Sequence, residues 1–338
     1  MRRYVIALGA SLVTGCGGSG NLPPANPPVA AAVSPRVRND IPPRLQWNAN
    51  FGYCGETSFV SAGLYYGQYA SQYEVRSIAS DGTPQYEQRS QLLLGVNAMH
   101  AARAMHLVMV KWNGGSASPQ SFLGWVTANV SMHRPVIIGV YTNEYRFYGK
   151  RNPNAGDSSY DHIVPVIEAD SRRLTFSDNG LWGPPRPYLF RYSYDTIARN
   201  RAEANAPSAP QYSLPAGVRD YGIAIAGVAD PQRETLPVRV ATSVNYEKPK
   251  MQNRSSKRPK PMRLTLTVAV SGLRPGVGYV LYRYDRFADV PDERFNANAS
   301  RASKHWAIRL KSGSTFTLRE KVMSDQVVVY RAVPSSGP

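Results

Sequence analysis

At 338 residues, 42% hydrophobic and 19% charged, the chain is long enough for one or two folded units and too apolar for wholesale disorder. Lys+Arg is 40 against Asp+Glu 23, a formal net charge of +17. This favours acidic partners such as anionic lipid, cell-wall polymer, nucleic acid or acidic peptide without choosing among them. The two cysteines, Cys16 and Cys54, exclude a disulfide-stapled scaffold and a cysteine-rich zinc site.

Arg2 and Arg3 precede an apolar run from Val5 to Val13, far short of the ~18–20 residues that span a bilayer. This pattern predicts a secretory signal over 1–16. Val13-Thr14-Gly15-Cys16 resembles the lipobox of bacterial lipoproteins, which implies acylation of Cys16 and a lipid-anchored place in the bacterial cell envelope; without acylation the chain is secreted. The plainer reading of Cys16 is a signal residue that is discarded. Residues 17–40 are rich in Gly, Ser, Pro and Ala without an apolar period, so they read as a flexible linker.

Residues 41–232 carry a helices-then-strands pattern, α+β in class. Phe59, Val60, Gly63, Leu64 and Tyr66 recur at helical spacing, so a helix starts close to Cys54; Tyr65, Tyr66, Tyr69 and Tyr73 are expected to crowd it. Gln91 to Leu107 is expected to be helical, with Leu94, Ala98, Ala101, Ala102 and Met105 as its stripe. Leu107 to Trp112 looks extended. Ser118-Pro119 is a capping residue before proline at the first helical position, and that helix ends near His133. Pro135–Tyr141 and His162–Ala169 read as buried strands, with Pro165 arguing for an edge or a bulge in the second. Arg173 to Asp178 completes a hairpin with it, and Tyr221 to Ala229 is a further strand.

From 235 to 334 the pattern changes to short strands without a long helix, which predicts a small all-β sandwich. Leu273 to Tyr279 reads L-x-P-G-x-x-Y and resembles the tyrosine corner of fibronectin type III-like sandwiches, although too few strands precede it for the usual order. Residues 247–263 form a basic loop, with seven cations from Lys248 to Arg263 against Glu247 alone. The plain reading is a solvated face; the functional one is contact with an anionic envelope surface.

A nucleophilic thiol needs a neighbouring base and donors for the oxyanion. Cys54, where a helix begins, would meet the positive end of the helix dipole, with Glu56 partly opposing it. Among His100, His106, His133, His162 and His305, only His162 opens a strand with an acid, Asp178, sixteen residues on at the end of the next one. Antiparallel pairing can set these two side by side, leaving Asp178 to orient the imidazole. Each residue has an ordinary alternative: Cys54 a small buried apolar group, His162 a strand-end residue bonded to backbone, Asp178 a turn residue before Asn179-Gly180.

These pieces resemble the papain-like cysteine peptidases, closest to the branch that cuts double-glycine leader peptides, over roughly residues 41 to 230. Gly52-Tyr53-Cys54-Gly55-Glu56-Thr57-Ser58 is similar to its nucleophile motif, with Glu56 departing from the usual Pro. The resemblance implies Gln46 as oxyanion donor, with Asn48 and Asn50 competing; Asp161-His162 as the base; and Asp178, or Asn179, as the third group, shielded by Trp182. No HExxH, phosphate loop, dinucleotide fingerprint or GxSxG occurs.

The expectation is therefore a papain-like cysteine peptidase domain followed by a fibronectin type III-like sandwich. It would be a thiol hydrolase of amide bonds in a peptide or protein substrate, needing no cofactor and no nucleic acid. The alternatives are a cell-wall amidase or endopeptidase of the same chemistry, and a non-catalytic surface-binding lipoprotein on a peptidase-like fold.

Overall fold

The computed structural model describes residues 36–335 apart from 115–117, 171–172, 181–188, 194–196, 217–220 and 248–257, with the backbone alone for 189–193. The expected signal, the lipidation candidate Cys16, most of the linker, Trp182 and much of the basic loop lie outside the described residues.

A two-residue strand β1 (Val37–Arg38) precedes α1 (Cys54–Tyr65), whose residues after Cys54 are all buried. Gly55, Ser58, Ser61, Ala62 and Gly63 are small enough to let neighbours approach from every side. Tyr66 caps this helix and Gly67, at φ +75°, turns the chain away, a conformation glycine adopts at little cost. β2 (Gln68–Tyr69) and α2 (Gln72–Ala79) follow. The four tyrosines expected on one helix thus sit on three elements. α3 covers only Ala98–Ala104; Gly95, at φ +80° beneath Tyr221, breaks the stretch expected to be helical from Gln91. β3 (Leu107–Lys111), α4 (Pro119–Ser131) and β4 (Val136–Thr142) fall where the sequence places them, and the Ser118 hydroxyl accepts from Ser121 N–H as its cap. Next come α5 (Glu144–Tyr148), β5 (His162–Ala169), β6 (Arg173–Ser177), β7 (Leu189–Ser193), β8 (Ile197–Ala198), α6 (Arg201–Ala204), β9 (Tyr212–Pro215) and β10 (Gly222–Val228).

The main sheet runs β3-β10-β4-β5-β6-β7, with β1 on β5 and β9 on β4. β5 lies inside it, so Pro165 is not on an edge; the ladder to β6 starts only at Val166 and shifts register before Glu168. A proline is tolerated where the neighbouring strand asks for no donor.

β11 (Val238–Thr242), β12 (Arg263–Ser271), β13 (Gly278–Tyr284), β14 (Lys304–Arg309), β15 (Thr315–Met323) and β16 (Val328–Pro334) form two sheets, β11-β12-β15 and β14-β13-β16. The alternation of β12, buried at Leu264, Leu266, Val268 and Val270, is the period-two pattern of a strand with one face in the core. Tyr279 Oη accepts from Arg274 N–H at 3.1 Å across the turn before β13.

These sheets are not separate from the helical part. β2 adds itself to β16, Tyr69 Oη donates to Ser324 O at 2.8 Å, and one apolar cluster runs from Phe59 and Leu64 through Val238 to Tyr330. Residues from Ser34 on form one compact unit. The chain is mixed, of the α+β class. No described helix is long and apolar enough to cross a membrane.

Glu247, expected within the exposed basic loop, is instead buried and accepts the Gln72 N–H at 2.8 Å; Arg258 pairs with Glu74 at 2.9 Å. Burial pushes the Glu247 carboxyl up to about 7, against Arg44 and the Gln72 bonds, which favour its charge. Between pH 4.5 and 7 the unfolded chain releases this proton and the folded one keeps it, so stability falls as pH rises, by on the order of 3 kcal/mol. Urea titrations at pH 4.5 and 7 should show that fall in the wild type and lose most of it in Glu247→Gln; an equal slope in both would refute the assignment.

Candidate active site

Cys54 is the first residue of α1, where the opening backbone N–H groups have no partner inside the helix. Its own carbonyl is fixed by Ser58 Oγ at 2.8 Å and by Asn179 Nδ2 at 3.0 Å. The approach is a turn of three positive φ values, Asn50 (47°), Phe51 (68°) and Gly52 (89°), strained for the first two. Arg76, on α2, clamps this turn: Nη1 donates to Asn50 O at 2.8 Å, Nη2 donates to Gly52 O, and the guanidinium lies 3.6 Å from the Tyr53 ring centroid. Its Nε bonds Glu56 at 2.6 Å, both side chains being buried. Glu56, which departs from the expected Pro and seemed to oppose the dipole, is neutralised by that partner.

His162 opens β5 and is 8% exposed. Nε2 bonds Asp178 Oδ1 at 2.8 Å, and Cys54 interacts electrostatically with the ring. Burial lowers its pKa, but the carboxylate of Asp178 and the contact with Cys54 outweigh this and hold it at about 10. The ring is therefore an imidazolium at neutral pH. Asp178 is buried at the end of β6 and also accepts Gly180 N–H at 2.6 Å and the Tyr212 hydroxyl. Burial raises its pKa, yet His162, Tyr212 and Gly180 together keep the carboxyl below its ordinary value.

Asp178 and Asn179 point in different directions. Asn179 Nδ2 turns the other way and ties Cys54 O, Ser58 Oγ and Ile163 O together. It holds α1 to β5 and so sets the spacing of Cys54 and His162.

Gln46 N–H donates to Asn179 O at 2.7 Å, and Gln46 Oε1 accepts Tyr53 N–H at 2.9 Å. With the oxygen committed, Nε2 is left on the cleft side. A Cβ on Gly180 would lie 2.8 Å from that Nε2 and 3.1 Å from His162 Cε1, so glycine alone fits between them. Asn48 and Asn50 also line the cleft, but Asn50 Nδ2 donates to Tyr53 Oη.

Cys54, His162, Gln46 and Gly180 share one open cleft of about 750 Å³; none of the other four histidines lines it. Its far wall includes Phe147 and Tyr148 from α5, and Asp157 and Asp161 from the loop before β5. Asp161 holds that wall rather than the imidazole: it pairs with Arg201 at 2.6 Å and accepts the Thr142 and Asp157 N–H groups.

Tyr212 and Arg76 are the residues of the candidate site that the sequence did not point to. Tyr212, on β9, bonds Asp178 and stacks on His162 with ring centroids 5.8 Å apart. It is one of 21 tyrosines, in a short strand without a motif. Among the described residues no group of three His, Cys, Asp or Glu side chains is placed to hold a metal ion. Comparison with protein-family models, with curated proteins and with solved structures finds no match to this chain, so geometry alone carries the functional argument.

Proposed function

We propose that this protein is a papain-like cysteine hydrolase that cleaves amide bonds in peptide or protein substrates. The single observation behind this reading is His162, bonded to Asp178 and lining one open cleft with Cys54, with which it interacts. The Cys54 sulfur attacks the carbonyl carbon and the carbonyl oxygen becomes an oxyanion. Gln46 Nε2 and the Cys54 backbone N–H donate to it. The carbon–nitrogen bond then breaks, and His162 gives its proton to the departing amine. Water, deprotonated by the now neutral His162, attacks the thioester, and the Cys54 sulfur leaves with the acid released.

The third group being an aspartate, where cell-wall amidases of similar chemistry usually carry a histidine, favours a peptidase. The signal-like segment ending in Cys16 supports a place at the cell envelope. The corner at Tyr279 and the two facing sheets support a fibronectin type III-like second part.

Labelling tests the proposal without knowledge of the substrate. In this reading His162 is the base that serves the Cys54 sulfur. Fluorescent iodoacetamide at pH 6 should therefore modify the wild type at Cys54 at least tenfold faster than the His162→Ala variant, and Cys54→Ala should lose the label at this position. Equal rates in wild type and His162→Ala would sink the couple, and with it the enzyme reading in favour of a binding protein.

A further inference from the structure

A second cavity, of about 340 Å³, shares no lining residue with the cleft and lies between the C-terminal end of α1, the segment leading into β11, and β16. Its lining includes Arg239, Arg331 and His133, and no Asp or Glu. We propose that this cavity binds a small phosphate-bearing molecule, the phosphate facing Arg239 and His133 above the charge of Arg331.

Arg331 is the observation that asks for an anion. It is 2% exposed and makes no ion pair among the described residues. Nη1 donates to Tyr66 O and Tyr330 O, Nη2 to Gln68 Oε1, and Nε has no partner. Carbonyl dipoles at a helix end offset part of a charge, not a whole one. The acids that act on it are engaged elsewhere: Asp230 with the backbone and hydroxyl of Thr235, Asp292 with His106 at 2.6 Å. Burial, partly offset by Tyr284, Asp230 and Asp292, leaves the guanidinium lowered to about 10.

Arg239 supplies the contact. It is exposed, and its guanidinium is stacked 4.0 Å from the Tyr65 ring centroid, so it is pre-oriented without being neutralised. His133 adds an exposed imidazole, held by Asn39 at 3.3 Å. Two permanent positive charges match a phosphate dianion better than a single carboxylate. The rest of the cavity, with Leu236, Pro237 and Val228, is apolar and exceeds what a bare phosphate fills.

The experiment is calorimetric titration of the full chain with inorganic phosphate and with phenyl phosphate, at constant ionic strength near 0.15 M set with sodium chloride. Saturable binding of phenyl phosphate at one site per chain, weakened at least tenfold in Arg239→Ala and unchanged in Arg319→Ala on β15, is the expected result. Arg331→Met should also lose the site; if it does not fold, Arg239→Ala still decides. Phenyl phosphate should bind more tightly than inorganic phosphate. Equal affinity would overturn the organic part of the ligand. Non-saturable binding, or binding indifferent to Arg239→Ala, would overturn the site and leave only the general attraction of a chain of charge +17.

Discussion

Arg76→Met should destabilise the folded protein by about 3–5 kcal/mol, because it strands a buried carboxylate. Glu56 would lose the guanidinium bonded at 2.6 Å, and the carbonyls of Asn50 and Gly52 would lose their donor. The double change Glu56→Met/Arg76→Met should recover part of the loss, since the charge goes with its partner while the two carbonyls stay unpaired. Urea denaturation of the three proteins measures this directly. A cost below about 1 kcal/mol for Arg76→Met would show that the pair does not carry the turn. Because the same arginine holds the left-handed Asn50–Phe51 pair in front of Cys54, the double variant should also label more slowly with iodoacetamide even where it is folded.

Asp178→Asn should bring the titration of His162 down from about 10 to near or below the ordinary histidine value of ~6.5. The asparagine oxygen can still orient the ring, but the negative charge that favours the imidazolium is gone, and burial then acts unopposed. Imidazole NMR of the two proteins across pH 5 to 11 reads the midpoint. In hydrolysis of a peptide anilide the alkaline limb should move with it, a loss of roughly 100-fold at pH 8.5 and much less at pH 5.5. Stability follows the same sign. A raised histidine pKa stabilises the fold fully below pH ~6.5 and no longer does so once the pH has passed about 10. The wild type should therefore lose stability between those values, and Asp178→Asn should lose less. A midpoint unchanged by the substitution would remove Asp178 from its role.

Much of the candidate site was legible because each residue sits at a junction that local pattern marks. Cys54 begins an apolar helix, His162 begins a strand, and Asp178 follows the next one, so one hairpin register sets His162 beside Asp178. Gln46 was less legible because its place depends on a backbone bond to Asn179 across the fold. Tyr212 and Arg76 were invisible for the same reason, their partners lying 34 residues away at Asp178 and 20 away at Glu56. Glu56 was misread because a charge near a helix start was weighed without its counter-ion. The helix expected from Gln91 failed at Gly95, where a composition rich in Ala and Leu outweighed a single residue that cannot continue a turn. β2 is two residues long and pairs with a strand near the other end of the chain, which no window of sequence can register.

That last pairing ties the approach to Cys54 to residues far along the chain. The segment bearing Gln46 and Cys54 is sutured by late residues: Leu45 to Asn245, Arg44 to Thr242 and Val244, Gln72 to Glu247, and Gln68–Tyr69 to Val328–Val329. A chain emerging from a ribosome or a translocation pore has Cys54, His162 and Asp178 in hand long before β16 exists. Contacts so distant in sequence form slowly and together. The cross-ties on segment 44–72 therefore cannot form until β11 and β16 are present, whereas the Arg76 clamp on Asn50 and Gly52 is local and can form earlier.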